Sequence, residues 1–227
     1  MQDHEAQRSG EIIVQKKVSQ TTLAYQTLKE NIMRGRMAQG QILSISFLSE
    51  LLQLGRSPVT AACQRLEYDG LVHIIPKQGV WINALTLDDA RQIYESRAAI
   101  EVFFAEKAFD KLNEEDLVIL NSLIDQQLLC GDTWDMYTFM ISDTEFHRRL
   151  MLKYSNPVLS EMHEHILARI FLFGVKNSSK ESRFRGSIEE HRQIVDSIRT
   201  ADKAAFVQHV RDHILNGYIA LTGTYEK

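Results

Sequence analysis

Asp143 and His147, in the stretch ISDTEFHRRL, stand four residues apart, so on a helix their side chains leave the same face. A carboxylate and an imidazole placed this way can share a divalent metal ion. The same spacing also suits a surface hydrogen bond or a satisfied core histidine, and the pair alone does not separate these readings. A second grouping lies in GRSPVTAACQRLEYDGL, residues 55–71, where Arg56 and Arg65 surround Thr60 and Gln64. On a helix in the DNA major groove a guanidinium can bond guanine O6 and N7 together, and Thr60 and Gln64 can reach base edges. The alternative is a pair of arginines that are simply hydrated.

Charge favours the DNA reading. The net charge of −4 hides an asymmetry: residues 14–83 hold eight Lys/Arg against four Asp/Glu, while residues 84–227 hold seventeen against twenty-three. An anionic partner is therefore expected at the front of the chain.

The elements that must position these residues follow from periodicity and punctuation. Tyr25, Leu28 and Ile32 recur at helical spacing up to Gly35, and Ile45, Leu48, Leu51 and Leu52 form a second stripe beginning near Ser44 or Ser46. In the third helix Ser57 is expected as N-cap and Pro58 as the first helical residue, with Gly70 as the stop. Val59, Ala62, Cys63 and Leu66 share one face, leaving Thr60, Ala61, Gln64, Arg65 and Tyr68 on the other. VHII (72–75) and GVWI (79–82), joined by Pro76, Lys77 and Gln78, read as a β-hairpin. Three helices and a hairpin make a winged helix-turn-helix with Lys77 at the wing tip, suited to a phosphate.

Beyond Ala84 the pattern is of amphipathic helices alone, about six, starting near 86, 114, 133, 157, 187 and 202. Thr86 with Asp89 and Ser187 with Glu190 carry the capping-box pattern, and Asn113 and Asn156-Pro157 mark further starts. The expected organisation is a flexible arm over 1–18, a winged helix-turn-helix over 19–83, and an all-α antiparallel bundle over 84–227. No run of about 18 apolar residues suggests a membrane span, and the polar N-terminus suggests no export, so a cytoplasmic protein without membrane contact is expected. Cys63 and Cys130 are expected as two reduced thiols.

The front half, with its R-x-P-V-x-x-A core and DGLV exit, resembles the winged-helix domain of the GntR family of bacterial transcription regulators. The back half is similar to the FCD effector domain of the family's FadR branch. The resemblance covers about residues 20–222. It implies DNA contacts for Arg56 and Arg65, but Thr60 stands where the family usually has Arg, which argues for an altered or weaker operator preference. Gly55 and Cys63 also depart from the usual Ser and Leu. Together the residues expected at DNA are Arg56, Ser57, Thr60, Gln64, Arg65 and Lys77.

In the bundle, metal-binding FCD domains add to Asp-x-x-x-His a histidine in an EHR-like segment and another on the last helix. The resemblance thus implies Asp143, His147, His191 and His213 as ligands, with Zn2+ first and Ni, Mn or Fe as alternatives. His209, one turn before His213, ranks behind it, and His163 and His165 are expected to be structural or exposed. Arg97 is implied to face the effector, although a salt bridge to Glu101 at i+4 would equally occupy it, and Arg169 carries the same ambiguity.

The expected function is a homodimeric, operator-binding transcription regulator, more often a repressor, controlled by a small organic acid near the metal. A metalloenzyme acting on small carboxylates is the rival, but no general base, phosphate loop or nucleophile elbow is placed by motif. A regulator whose metal is purely structural is the third reading.

Overall fold

The structure is a computed structural model that describes residues 18–133, 135–177 and 181–223. The arm expected over 1–18 lies outside the described residues except for Val18. The front elements are α1 (Gln20–Met33), β1 (Ile42–Leu43), α2 (Ile45–Leu52), α3 (Arg56–Tyr68), β2 (Val72–Ile75) and β3 (Gly79–Ile82). The hairpin occurs with the expected bounds, and β1 joins its free edge to give the order β1-β3-β2, with Ile42 opposite Trp81 and Leu43 opposite Val80. Two residues are too few to show alternation, which is why β1 has no sequence signature. Gly79 permits the pairing: its φ is +140°, and a Cβ there would lie 2.5 Å from the Leu43 carbonyl oxygen.

Ser44 caps α2, as its side chain accepts from Phe47 N–H. The expected cap of α3 is corrected. Gly55 is the N-cap and the helix begins at Arg56, so Pro58 sits third. A proline is tolerated there because the N–H groups of the whole first turn lack intrahelical acceptors. The shift puts both Arg56 and Ser57 in the exposed first turn of α3.

The bundle comprises α4 (Leu87–Ala108), a short 3-10 turn (Phe109–Lys111), α5 (Glu114–Thr133), α6 (Met136–Met151), α7 (Pro157–Asn177), α8 (Glu181–Arg199) and α9 (Lys203–Thr222). Thr86 and Asp89 form the reciprocal capping box of α4. Two expected starts are corrected. Thr133 ends α5, and Asp135 caps α6. Residue 187 lies inside α8, where Glu190 turns to Arg183 and His213 instead of closing a capping box. Serine followed by glutamate three residues later reads alike at a cap and in a helix interior when tertiary partners capture the glutamate.

Two apolar cores organise the fold. Leu28, Leu48, Val59, Leu66, Val80 and Ile82 pack the winged domain, and Ala168 and Leu172 of α7 belong to the same cluster. Ile93, Phe146, Phe171, Ile194, Phe206 and Ile214 anchor the bundle, where α4 packs on α9, α7 and α6, and α8 on α9 and α5. Each such side chain contributes about 1.5–3 kcal/mol when fully buried. Cys63 and Cys130 are buried in different cores and no disulfide joins them.

The two halves are fastened along α7 and α6. Gln39 Nε2 donates to the Leu172 carbonyl at 2.9 Å, Tyr68 Oη donates to Glu161 at 2.6 Å, and Arg34 lies 3.8 Å over the Tyr137 ring. No helix among the described residues is long and apolar enough to cross a membrane.

Candidate metal centre and recognition helix

Helix α6 carries Asp143 and His147 one turn apart on its buried face, α8 brings His191, and α9 brings His213. All four are buried, and one ligand atom from each falls within 4.8 Å of the others. The outward ring nitrogens of His191 and His213 are hydrogen-bonded, and that of His147 has a carboxylate close by without hydrogen-bond geometry. Glu101 Oε2 lies 2.7 Å from His147 Nδ1, Gln127 Oε1 lies 2.8 Å from His191 Nδ1, and Glu190 Oε2 lies 2.8 Å from His213 Nδ1. Such partners set the tautomer and leave Nε2 as the lone pair offered to a metal. His147 Nε2 and His213 Nε2 approach to 3.0 Å, and His191 Nε2 is buried without a hydrogen-bond partner, 3.5 Å from Asp143 Oδ1.

Electrostatics point the same way. Burial pushes the His147 and His213 pKa values down to about 4 and that of His191 well below its ordinary value. The imidazoles are thus neutral at physiological pH, the form that binds metal. Burial raises the Asp143 pKa against the pull of Arg97, so this carboxylate lacks a full counter-charge. A divalent ion would accept the converging lone pairs and supply the missing charge. The residues present therefore fit such a metal.

A cavity of about 90 Å3 opens beside Asp143 and His213. Arg97 lines it and is only 3 % exposed. The expected pairing with Glu101 forms, with Arg97 Nε donating at 2.6 Å, while Nη2 is buried with no hydrogen-bond partner. Arg169 is not brought to this cavity. It lies at the junction of the two halves, 3.6 Å from Asp89 and over Gly70. Helical spacing placed it on α7 but gave no information about which neighbour it faces.

His209 turns to Ser197 and the Gln193 carbonyl, away from the cluster. His163 is buried, 2.7 Å from Glu101, and His165 meets the Tyr68 ring edge-on. Sequence reasoning had given Glu101 only a salt bridge to Arg97. It also meets His147 and His163, and Arg97 first, then these two rings, hold its carboxyl well below the usual range despite burial. Gln127, Arg183 and the role of Glu190 in orienting His213 were likewise missed, since no local spacing links helices so far apart in sequence.

On the winged domain, Arg56, Ser57, Gln64, Arg65 and Lys77 are exposed and Thr60 is partly so. Arg65 lies 4.1 Å over the Tyr25 ring, and the Tyr25 hydroxyl donates to Asp69. That stacking steadies the guanidinium while leaving it accessible. Lys77 sits at the wing tip with a positive φ of 64°.

Comparison with known proteins bears on both halves. The family described as "Bacterial regulatory proteins, gntR family" matches residues 20–82, and the FCD domain matches residues 92–216. The HTH-type transcriptional regulator YdhC of Bacillus subtilis (strain 168) is 28% identical over 191 residues, 83% of this chain and 85% of that protein. The solved structure of E. coli McbR/YncC superposes with a TM-score of 0.79 at 20% identity, over 91% of this chain and 99% of that one, a likeness of fold. The metal-free FCD domain of TM0439 is similar at 25% identity, with a TM-score of 0.53, covering 62% of this chain and 96% of that one. The relatives are transcription regulators rather than enzymes. This chain belongs to the GntR family of bacterial transcription regulators, with a helix-turn-helix DNA-binding region followed by an FCD domain.

Proposed function

We propose that the protein is a cytoplasmic, homodimeric repressor whose operator affinity is controlled by a small organic acid bound beside a divalent metal, Zn2+ first, held by Asp143, His147, His191 and His213. The observation that carries this reading is the convergence of three buried imidazoles and one carboxylate next to a cavity that Arg97 lines with an unpartnered Nη2. The metal, when bound, supplies a Lewis-acidic anchor for an anionic oxygen. Arg97 orients the carboxylate, and its bond to Glu101 keeps the guanidinium directed along the cavity wall.

On the DNA side, a two-fold dimer would present α3 to successive major grooves, with Arg56, Ser57, Thr60, Gln64 and Arg65 toward bases or phosphates and Lys77 toward the backbone. Communication would run through Glu101. Its carboxylate touches Arg97, the ligand His147, and His163 on α7. That helix shares apolar core with the winged domain and holds Tyr68 at the end of α3 through Glu161. An acid that draws Arg97 and Glu101 differently in two placements of α7 binds those placements unequally, as allosteric control requires.

A thermal-shift series with small carboxylic acids, with and without a chelator, tests this. The expected result is an acid-dependent rise in melting temperature that disappears when metal is removed. Stabilisation that survives metal removal would reject the metal-centred arrangement.

A further inference from the structure

The cavity beside the four donors has unequal walls, and the inequality selects among acids. It deepens the acid-sensing reading above and rests on it. Among the described residues two guanidinium groups line the cavity, and one of them is open. Arg183 donates both Nη1 and Nη2 to Glu190, each at 2.8 Å, so its charge is already matched and its fork occupied. Glu190 is further fixed by His213 and by Asn216 Nδ2 at 2.9 Å, which leaves it little freedom to release Arg183. Of these two arginines, Arg97 is the one that retains a buried donor without a partner.

Apart from Ser187 and Tyr94, the rest of the described wall is apolar, with Met136, Phe139, Met140, Ile170 and Phe184 as its larger side chains. Phe139 and Phe184 present rings whose centroids are 4.7 Å apart. Space for the rings comes from two glycines. A Cβ at Gly131 would meet Phe184 Cε1 at 2.8 Å, and one at Gly217 would meet Tyr94 Cε1 at 2.9 Å. At both positions an aromatic side chain lies directly against helix backbone, which keeps it back from the cavity.

We propose that the effector is a monocarboxylate bearing an apolar substituent up to the size of a phenyl ring, in preference to dicarboxylates and polyhydroxy acids. A second carboxylate would find no further unpaired guanidinium among the described lining residues, and a chain of hydroxyls would meet Ser187 and Tyr94 but otherwise lose water hydrogen bonds against methionine and phenylalanine side chains. An aryl or branched alkyl group instead removes its own apolar surface and that of the wall from water.

Isothermal titration of the metal-loaded full chain with mandelate, lactate, malate and gluconate, repeated in chelator, tests the assignment. Mandelate is expected to bind with a Kd about tenfold or more below those of malate and gluconate, with lactate between. Tighter metal-dependent binding of malate or gluconate would overturn the substrate class while leaving acid sensing at the metal intact. Failure of all four to bind would overturn both. A second variant reads the wall itself: Gly217→Ala pushes the Tyr94 ring toward the cavity. It should weaken mandelate about fivefold or more while changing lactate less than about twofold. Equal losses for the two acids would remove the wall from the argument.

Discussion

The two halves of the molecule place their charged groups oppositely. The buried polar and charged side chains among the described residues run from Arg97 to His213, all within the bundle, whereas the described core of the winged domain is apolar. On the winged domain Arg56, Gln64, Arg65 and Lys77 stay hydrated, where a charge costs little and contributes little to folding. In the bundle each buried group needs a partner, because an uncompensated charge there is expensive. The first half is built to act through its surface and the second through its interior. Substitutions in the two should therefore fail differently.

The largest effect is expected at the interior donors. His191→Ala should lower metal affinity at least about 100-fold, read as lost stoichiometry in elemental analysis after dialysis, together with a lower melting temperature. Full occupancy in the variant would remove His191 from the centre. Arg56→Ala should do the reverse, costing about 1–3 kcal/mol of operator affinity and preference while stability stays within about 0.5 kcal/mol. Unchanged discrimination between operator and random duplex would take Arg56 out of the interface.

His163→Ala probes the connection between the halves. Metal and acid should still bind, but the change in DNA affinity caused by the acid should shrink by about 0.5–2 kcal/mol. An undiminished response would direct the coupling away from Glu101 and α7. The smallest effect is expected from Thr60→Arg, which restores the residue usual in the family at that position. It should steepen the salt dependence of DNA binding by about one contact. An identical salt slope would mean that position 60 does not face DNA.

The legibility of these features in the sequence follows their range. Helix ends with local chemistry could be read directly at Thr86 with Asp89, and for α2 down to a choice between Ser44 and Ser46 that the structure resolves as Ser44. The pairing of Asp143 with His147 was visible as helical spacing, but His191 and His213 joined them only through the family resemblance. Glu101, Gln127 and Glu190, which orient the three imidazoles, were invisible as a set, because each reaches a different helix through tertiary packing. Arg169 shows the same limit, since periodicity places a residue on a helix face without naming the neighbour across from it. Pro58 shows a subtler one: proline is admissible anywhere in a first turn, so it marks the start of α3 only to within a turn.

In the proposed scheme the interior of the bundle governs the surface of the winged domain. Fluorescence anisotropy of the metal-loaded protein on a duplex selected from a random pool, titrated with mandelate in the presence and absence of chelator, tests it most directly. A change in DNA affinity of about tenfold or more on adding the acid, abolished by metal removal, is predicted. DNA affinity that stays the same with acid and without it would contradict the claim.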